Sequence, residues 1–343
     1  MDDKLNNKIT KILLPMVKAG KGGVSSIDMA DDGQVIIVID IDPKYGAKLE
    51  ALRLKAEHKI AALSGVNKAS VILTAEKVGS PKVQKGRVLD PIINLPAKHI
   101  ILIASGKGGV GKSTVAANIA VALAKDFKVG LLDADIYGPS QPLMMGVKDY
   151  KPEISSDKKL IPADAYGVKL MSIGFMVDDS KALVWRGAMM HKALMQMIRD
   201  VEWASDGEEL DYLIIDMPPG TGDVQLTLAQ KLKISGAVII STPQDIALID
   251  ARRAVDMFNK VGVPVLGLIE NMSIHICTNC GHEEHIFGSG GARAEADALA
   301  IPFLGEIPLS KNIREYSDNG EPVALAQPEV FSDIVAKLNC ALA

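Results

Sequence analysis

Cysteine is scarce, with three thiols in 343 residues. That excludes a disulfide-built secreted scaffold and makes a reducing cytoplasm the expected compartment. Aromatic residues make up 4% of the chain and the net charge is −4, so neither a base-stacking surface nor a basic field points to nucleic acid. No apolar run is long enough to span a bilayer. The first residues, Met1-Asp-Asp-Lys-Leu-Asn-Asn-Lys8, carry no apolar signal core. The length leaves room for one large domain and one small one.

What the chain does have is an apolar run, Ile100-Ile-Leu-Ile-Ala104, that ends in a glycine-rich loop and passes at once into a helix-forming segment, Val115 to Ala124. The loop, Gly106-Lys107-Gly108-Gly109-Val110-Gly111-Lys112-Ser113-Thr114, fits G-x-x-x-x-G-K-[ST] in the strand–loop–helix setting that gives this pattern its meaning. Glycines let backbone N–H groups turn inward around an anion, and the helix N-terminus adds partial positive charge. Lys112 is expected to reach β- and γ-phosphates, and the Ser113 hydroxyl to bind Mg²⁺.

A phosphate loop needs only Lys112, yet Lys107 gives this one a second lysine. In a symmetric dimer such a cation can reach the partner's nucleotide and act as an arginine finger does. In this form, K-G-G-x-G-K-[ST], the chain resembles the deviant phosphate-loop ATPases that include MinD, ParA, the nitrogenase iron protein and the Mrp group. The resemblance implies nucleotide-sandwich dimers.

From Lys98 onward, apolar strands alternate with helical segments. Val129–Asp133, Leu210–Asp216, Ala237–Ser241, Val265–Ile269 and Phe303–Ile307 read as strands, and Gly187–Trp203, Gln225–Leu232 and Ile246–Lys260 as helices. This predicts a doubly wound, mostly parallel α/β sheet of the phosphate-loop NTPase type, with ligands at the carboxyl ends of the strands. Lys159–Pro162 and Val168–Ser172 interrupt the alternation and read as a hairpin.

The strand ends carry the remaining chemistry. Asp133-Ala-Asp135 has the form of switch I in the family; a strand-closing turn would use the same residue types. The resemblance gives Asp135 the attacking water and Asp133 the Mg²⁺ shell. Asp216-Met-Pro-Pro-Gly220-Thr-Gly222-Asp matches switch II, where Asp216 is the second magnesium element and the glycines let the loop sense the γ-phosphate. Glu270-Asn271-Met272 ends a later strand. In the family an asparagine there meets the base, which makes Asn271 the adenine candidate, though a turn asparagine would look the same. The guanine-reading N-K-x-D is missing, which favours ATP over GTP.

Cys277-Thr-Asn-Cys280-Gly-His-Glu-Glu-His285 follows closely. A lone C-x-x-C can be a redox pair, half of a zinc site or half of an iron–sulfur site. His282 and His285 could complete an intrachain zinc site with Cys277 and Cys280, in a cramped geometry. Alternatively, a two-fold dimer brings the loop twice and assembles four thiolates around one bridging cluster. Taken in order, the deviant phosphate loop, D-x-D, D-x-P-P-G-T-G-D, E-N-M and C-x-x-C-G resemble the Mrp (ApbC-like) group of iron–sulfur cluster carriers, from about residue 98 to the end. The resemblance implies an ATPase using Mg²⁺, a homodimer that carries a labile cluster, [4Fe–4S] being the favoured type, and apo iron–sulfur and cluster-scaffold proteins as partners. It implies neither nucleic acid nor membrane. The extra N-terminal cysteine cluster of some eukaryotic relatives is missing.

Residues 1–75 read as a small α+β module of order α-β-β-α-β, with an Asp31-Asp32-Gly33 turn between its first two strands, and resemble the MIP18-like domain found before some Mrp-type ATPases. Residues 76–97, with Gly79, Pro81, Gly86, Pro91 and Pro96, read as a linker. The methionines between Met144 and Met197 read as core filling. Val330–Leu342 reads as a helix packed on the domain, because a membrane-binding helix needs a basic face and Lys337 is its only cation.

Overall fold

The computed structural model describes residues 3–20, 22–29, 34–41, 43–74, 92–136, 138–176, 187–204, 207–220 and 222–342. The chain divides into two compact units, Met1–Val88 and Leu89–Ala343. The Asp31–Gly33 turn and residues 76–91 of the expected linker lie outside the described residues.

The first unit contains α1 (Asp3–Ala19), β1 (Gly23–Met29), β2 (Gln34–Asp40), α2 (Gly46–Ala61) and β3 (Lys68–Thr74). β2 is the centre of a three-stranded sheet, antiparallel to β1 and parallel to β3. Val35, Ile37 and Ile39 share one face at the two-residue strand period and are fully buried with Ile9, Leu13 and Met16 of α1 and Ile60 of α2.

The second unit opens with Ile93, whose backbone N–H donates to the Lys231 carbonyl. Ile93 and Leu95 pack against the core, so the chain is already part of the domain before its first strand. The elements then run β4 (Ala97–Ala104), α3 (Lys112–Leu123), β5 (Val129–Asp133), α4 (Gln141–Met144), β6 (Ala163–Ala165), β7 (Val168–Ser172), α5 (Gly187–Arg199), β8 (Leu210–Asp216), α6 (Asp223–Lys231), β9 (Gly236–Ser241), α7 (Asp245–Lys260), β10 (Val265–Asn271), β11 (His275–Ile276), β12 (Glu283–Glu284), α8 (Gly291–Leu299), β13 (Phe303–Ile307), α9 (Lys311–Asp318) and α10 (Glu329–Leu342). The sheet order is β13-β10-β9-β4-β8-β5-β7-β6, parallel throughout except for the β6–β7 pair at one edge. The inner strands are buried along nearly their whole length, as a sheet covered on both faces requires. The amphipathic α7 supplies part of that cover through Ala247, Leu248, Ala251, Ala254, Val255 and Phe258. From β4 the strands are added first on one side (β8, β5, β7) and later on the other (β9, β10, β13), so the reversal that opens a ligand crevice lies at the carboxyl end of β4.

Two local readings change. The hairpin is β6 with β7, joined through Tyr166 and Gly167, both at positive φ, rather than Lys159–Pro162 with β7. Leu160 instead bridges to Ile154 and Val201. That pairing with Val201 is why α5 ends at Arg199: the chain turns extended, and Trp203 fills the core beyond the helix. Met145, Met195 and Met197 are buried in the core, as read from the sequence. In α10, Phe331, Ile334 and Leu338 are buried, and the helix packs on α3 and β13. Among the described residues no helix is long and apolar enough to cross a membrane.

Candidate functional site

β4 delivers the chain to a tight turn that only glycine can make at two places. Gly109 and Gly111 have φ of +81° and +80°. A Cβ on Gly111 would also collide with the Asn271 amide. Gly106 packs so closely on the Asp250 backbone that a Cβ there has no room. α3 then starts at Lys112, leaving the N–H groups of its first turn turned toward the loop. Lys107, Gly108, Gly109, Gly111, Lys112, Ser113 and Thr114 line a cavity of about 260 Å³ together with Asp135, Ser105, Ser140, Met144 and Pro219. Val110 turns its side chain into the core.

Beneath this cavity lies a buried polar cluster. Asp133 and Asp216 end the adjacent parallel strands β5 and β8 in register, and both are fully buried. Lys112 Nζ is paired with Asp216 Oδ1 and donates to Ser113 Oγ at 3.2 Å. Asp133 accepts from the Ser172 hydroxyl at 2.9 Å and from the backbone N–H groups of Gln141 and Asp135 at 3.2 Å each. Burial, and next the Asp216 carboxylate, push the Asp133 carboxyl up to about 7 against those three donors. Asp133 does not line the cavity. It holds the segment that places Asp135 there.

The sequence reading missed Gln141. Its Nε2 donates to Asp216 Oδ2 at 2.8 Å and to the Ser113 carbonyl at 2.9 Å, so one side chain on α4 joins the phosphate loop to the end of β8. Its Oε1 is buried without a hydrogen-bond partner. No local signal marks Gln141, because its partners lie far away in sequence. The segment that follows β8 is fixed at its start: Met217 N–H donates to Ile103 O and Gly220 N–H to Ser105 O, both at 3.0 Å, and Gln225 Nε2 donates to Pro218 O at 2.9 Å. Thr221 lies outside the described residues.

Asn271 lies under the loop rather than on the cavity wall. Its Nδ2 donates to the Val110 carbonyl at 2.8 Å. The chain leaves β10 through Met272, a non-glycine residue at φ +59°, and reaches the cysteine loop within the small hairpin β11–β12. Cys277 N–H donates to His282 O and Gly281 N–H to Cys277 O, each at 2.9 Å. Cys280 is exposed and Cys277 half-buried. The Cys280 backbone N–H, then that of Asn279, then the Cys280 side chain hold the Cys277 thiol below its ordinary value, which favours the thiolate that binds metal. Among the described residues no three of His, Cys, Asp and Glu are placed together as metal ligands. His285 Nδ1 instead faces the Ser273 carbonyl at 3.3 Å.

Residues 96–340 match the family model described as ParA, NUBPL iron-transfer P-loop NTPase. An iron–sulfur cluster carrier protein of Pseudomonas fragi is 54% identical over 233 residues, 67% of this chain and 80% of that protein. The carrier of the same name from Escherichia coli is 53% identical, and there the chain spans 62% of the relative's length. Among solved structures, a nucleotide-binding protein of Archaeoglobus fulgidus in complex with ADP is 39% identical, with a TM-score of 0.60, over 69% of this chain and 92% of that one. The phosphate loop, its buried carboxylates and the paired thiols therefore sit in a chain that belongs to the ParA/NUBPL family of iron-transfer P-loop NTPases.

Proposed function

We propose that the protein is an ATP-hydrolysing carrier that holds a labile iron–sulfur cluster between two copies of this chain and passes it to apo-proteins. The observation that carries this reading is a contrast within one chain. The phosphate cradle is complete, whereas the metal-binding loop offers two thiols, Cys277 biased to thiolate and Cys280 exposed. A cluster wants four thiolates, and a two-fold partner supplies the second pair.

On this reading the triphosphate seats its anionic oxygens on the N-terminus of α3, and Lys112 exchanges Asp216 for the β- and γ-phosphates. Asp135, on the cavity wall, orients the attacking water and accepts its proton. Lys107 reaches across the dimer to the partner's nucleotide. Asn271 is the adenine candidate on the resemblance; its bond to Val110 also fixes the loop that adenine would approach. The Ser113 hydroxyl, the buried Asp216 and the unpartnered Gln141 Oε1 form an oxygen-rich set that suits Mg²⁺ and its waters, with Asp133 holding the switch behind them. Mg²⁺ would supply charge neutralisation between the β- and γ-oxygens. Partners are apo iron–sulfur proteins and the scaffolds that load the carrier, in a reducing cytoplasm where exposed thiols stay reduced.

The test is transfer. Loaded wild-type protein should activate an apo [4Fe–4S] enzyme anaerobically, and C277A/C280A protein should hold no cluster while keeping its fold. Full iron and sulfide in the double variant would refute the assignment.

A further inference from the structure

Glu270 and Asn271 are consecutive, and their side chains grip different loops. Asn271 Nδ2 holds the Val110 carbonyl of the phosphate loop, and Gly111 packs directly on the same amide. Glu270, fully buried, accepts from Gly290 N–H at 3.2 Å through Oε1 and from Ala292 N–H at 2.7 Å through Oε2. Those two amides are the N-terminus of α8, where the cysteine loop ends. A buried carboxylate without a cation is costly, and these donors stabilise it, so this contact is fixed rather than incidental. The near end of the same loop is tied as well: Ser273 N–H donates to Ile307 O at 3.1 Å, and His285 faces the Ser273 carbonyl. Between the two grips and the cysteines stands Met272 in the left-handed region, a conformation that persists in a non-glycine residue only where its surroundings impose it.

We infer that the Glu270–Asn271 pair couples the two sites: a nucleotide that shifts Val110 displaces the end of β10, and Glu270 transmits the displacement to the cysteine loop. Coupling requires contiguous, well-packed contacts, and this path is two hydrogen-bonded side chains on one buried strand end. It is separate from switch II, which touches β4 and the phosphate loop but, among the described hydrogen bonds, not the cysteine loop. The inference rests on the proposed carrier role only for its purpose, since communication between the loops can be read without a cluster.

The experiment is the alkylation rate of Cys277 by iodoacetamide in the metal-free full chain, with and without saturating ADP, followed by peptide mass analysis. In the wild type ADP should change the rate by about fivefold or more, the lower end of typical coupling. In Glu270→Gln, whose amide presents N–H to an N–H donor, the rate should become the same with and without ADP while ADP still binds. A wild type blind to ADP, or a variant that keeps the full response, overturns the inference. Should Glu270→Gln fail to fold, amide exchange at Gly290 and Ala292 in the wild type decides: ADP must alter it, and unchanged exchange overturns the inference. Thiols that respond to ADP in a protein that cannot take up a cluster would sink the carrier reading and leave the coupling intact. A carrier whose thiols ignore ADP would do the reverse.

Discussion

Asp133 and Asp216 face each other across neighbouring strands, both fully buried, and among the described residues only Asp216 is paired with a lysine. The unequal pairing gives the first expectation. Asp133, raised to about 7 by burial and then by Asp216, binds a proton in the folded chain over a pH range where the unfolded chain has lost it. Stability from this group is therefore present at low pH and falls as pH rises from the ordinary carboxylate range through about 7. Asp133→Asn removes that dependence. Between pH 7.5 and 5, wild type should gain stability relative to Asp133→Asn, by at most about 1.4 kcal/mol per pH unit. Parallel denaturation midpoints for the two proteins across that range would contradict it.

Lys112 is paired with Asp216, and on the proposed function it exchanges that partner for the phosphates. Lys112→Ala should lower ATP turnover by at least about 10²-fold, on the scale of losing one preorganised electrostatic contact. Because it also leaves Asp216 buried without its cation, the variant should not gain stability. Steady-state phosphate release and a thermal melt check both.

Gln141 should matter twice, through the groups its Nε2 holds and through the Oε1 proposed to face Mg²⁺ and its waters. Gln141→Ala removes the donor to Asp216 Oδ2 and to the Ser113 carbonyl at once, and turnover is expected to fall about 10–100-fold, the range for residues that orient metal-site ligands. The loss should fall on kcat more than on KM. A normal kcat with raised KM would assign Gln141 to binding instead.

Lys107 tests whether the nucleotide is shared. Lys107→Ala should bind ATP normally by fluorescence titration, yet hydrolyse it about 10³-fold more slowly, the lower end of the effect of a cation supplied in trans. Mixing it with a chain defective only in its own Asp135 should restore part of the rate in mixed dimers. Failure of every mixture would remove Lys107 from the partner's site.

Much of this was legible in the letters. Ile100–Ala104 and Tyr212–Ile215 are unbroken apolar runs, and a strand buried on both faces has no other pattern to show. The phosphate loop, both switches and the cysteine pair lie at strand ends because the fold gathers its chemistry there. What escaped was either too short to have a period, as with the three-residue β6 and the two-residue β11 and β12, or defined by distant partners. Gln141 and Glu270 are of the second kind: nothing near Gln141 announces Asp216, and nothing near Glu270 announces the start of α8. The end of α5 at Arg199 was hidden for the same reason, since Leu160 draws Val201 out of the helix.

The most direct test of the carrier account is the mass of the anaerobically reconstituted protein, taken under conditions that preserve non-covalent assembly, with iron and sulfide measured on the same sample. The account requires one cluster per two chains, and a pair of chains that falls apart or empties when Cys277 and Cys280 are both replaced by alanine. One cluster on each chain, or zinc without sulfide at Cys277 and Cys280, would contradict it.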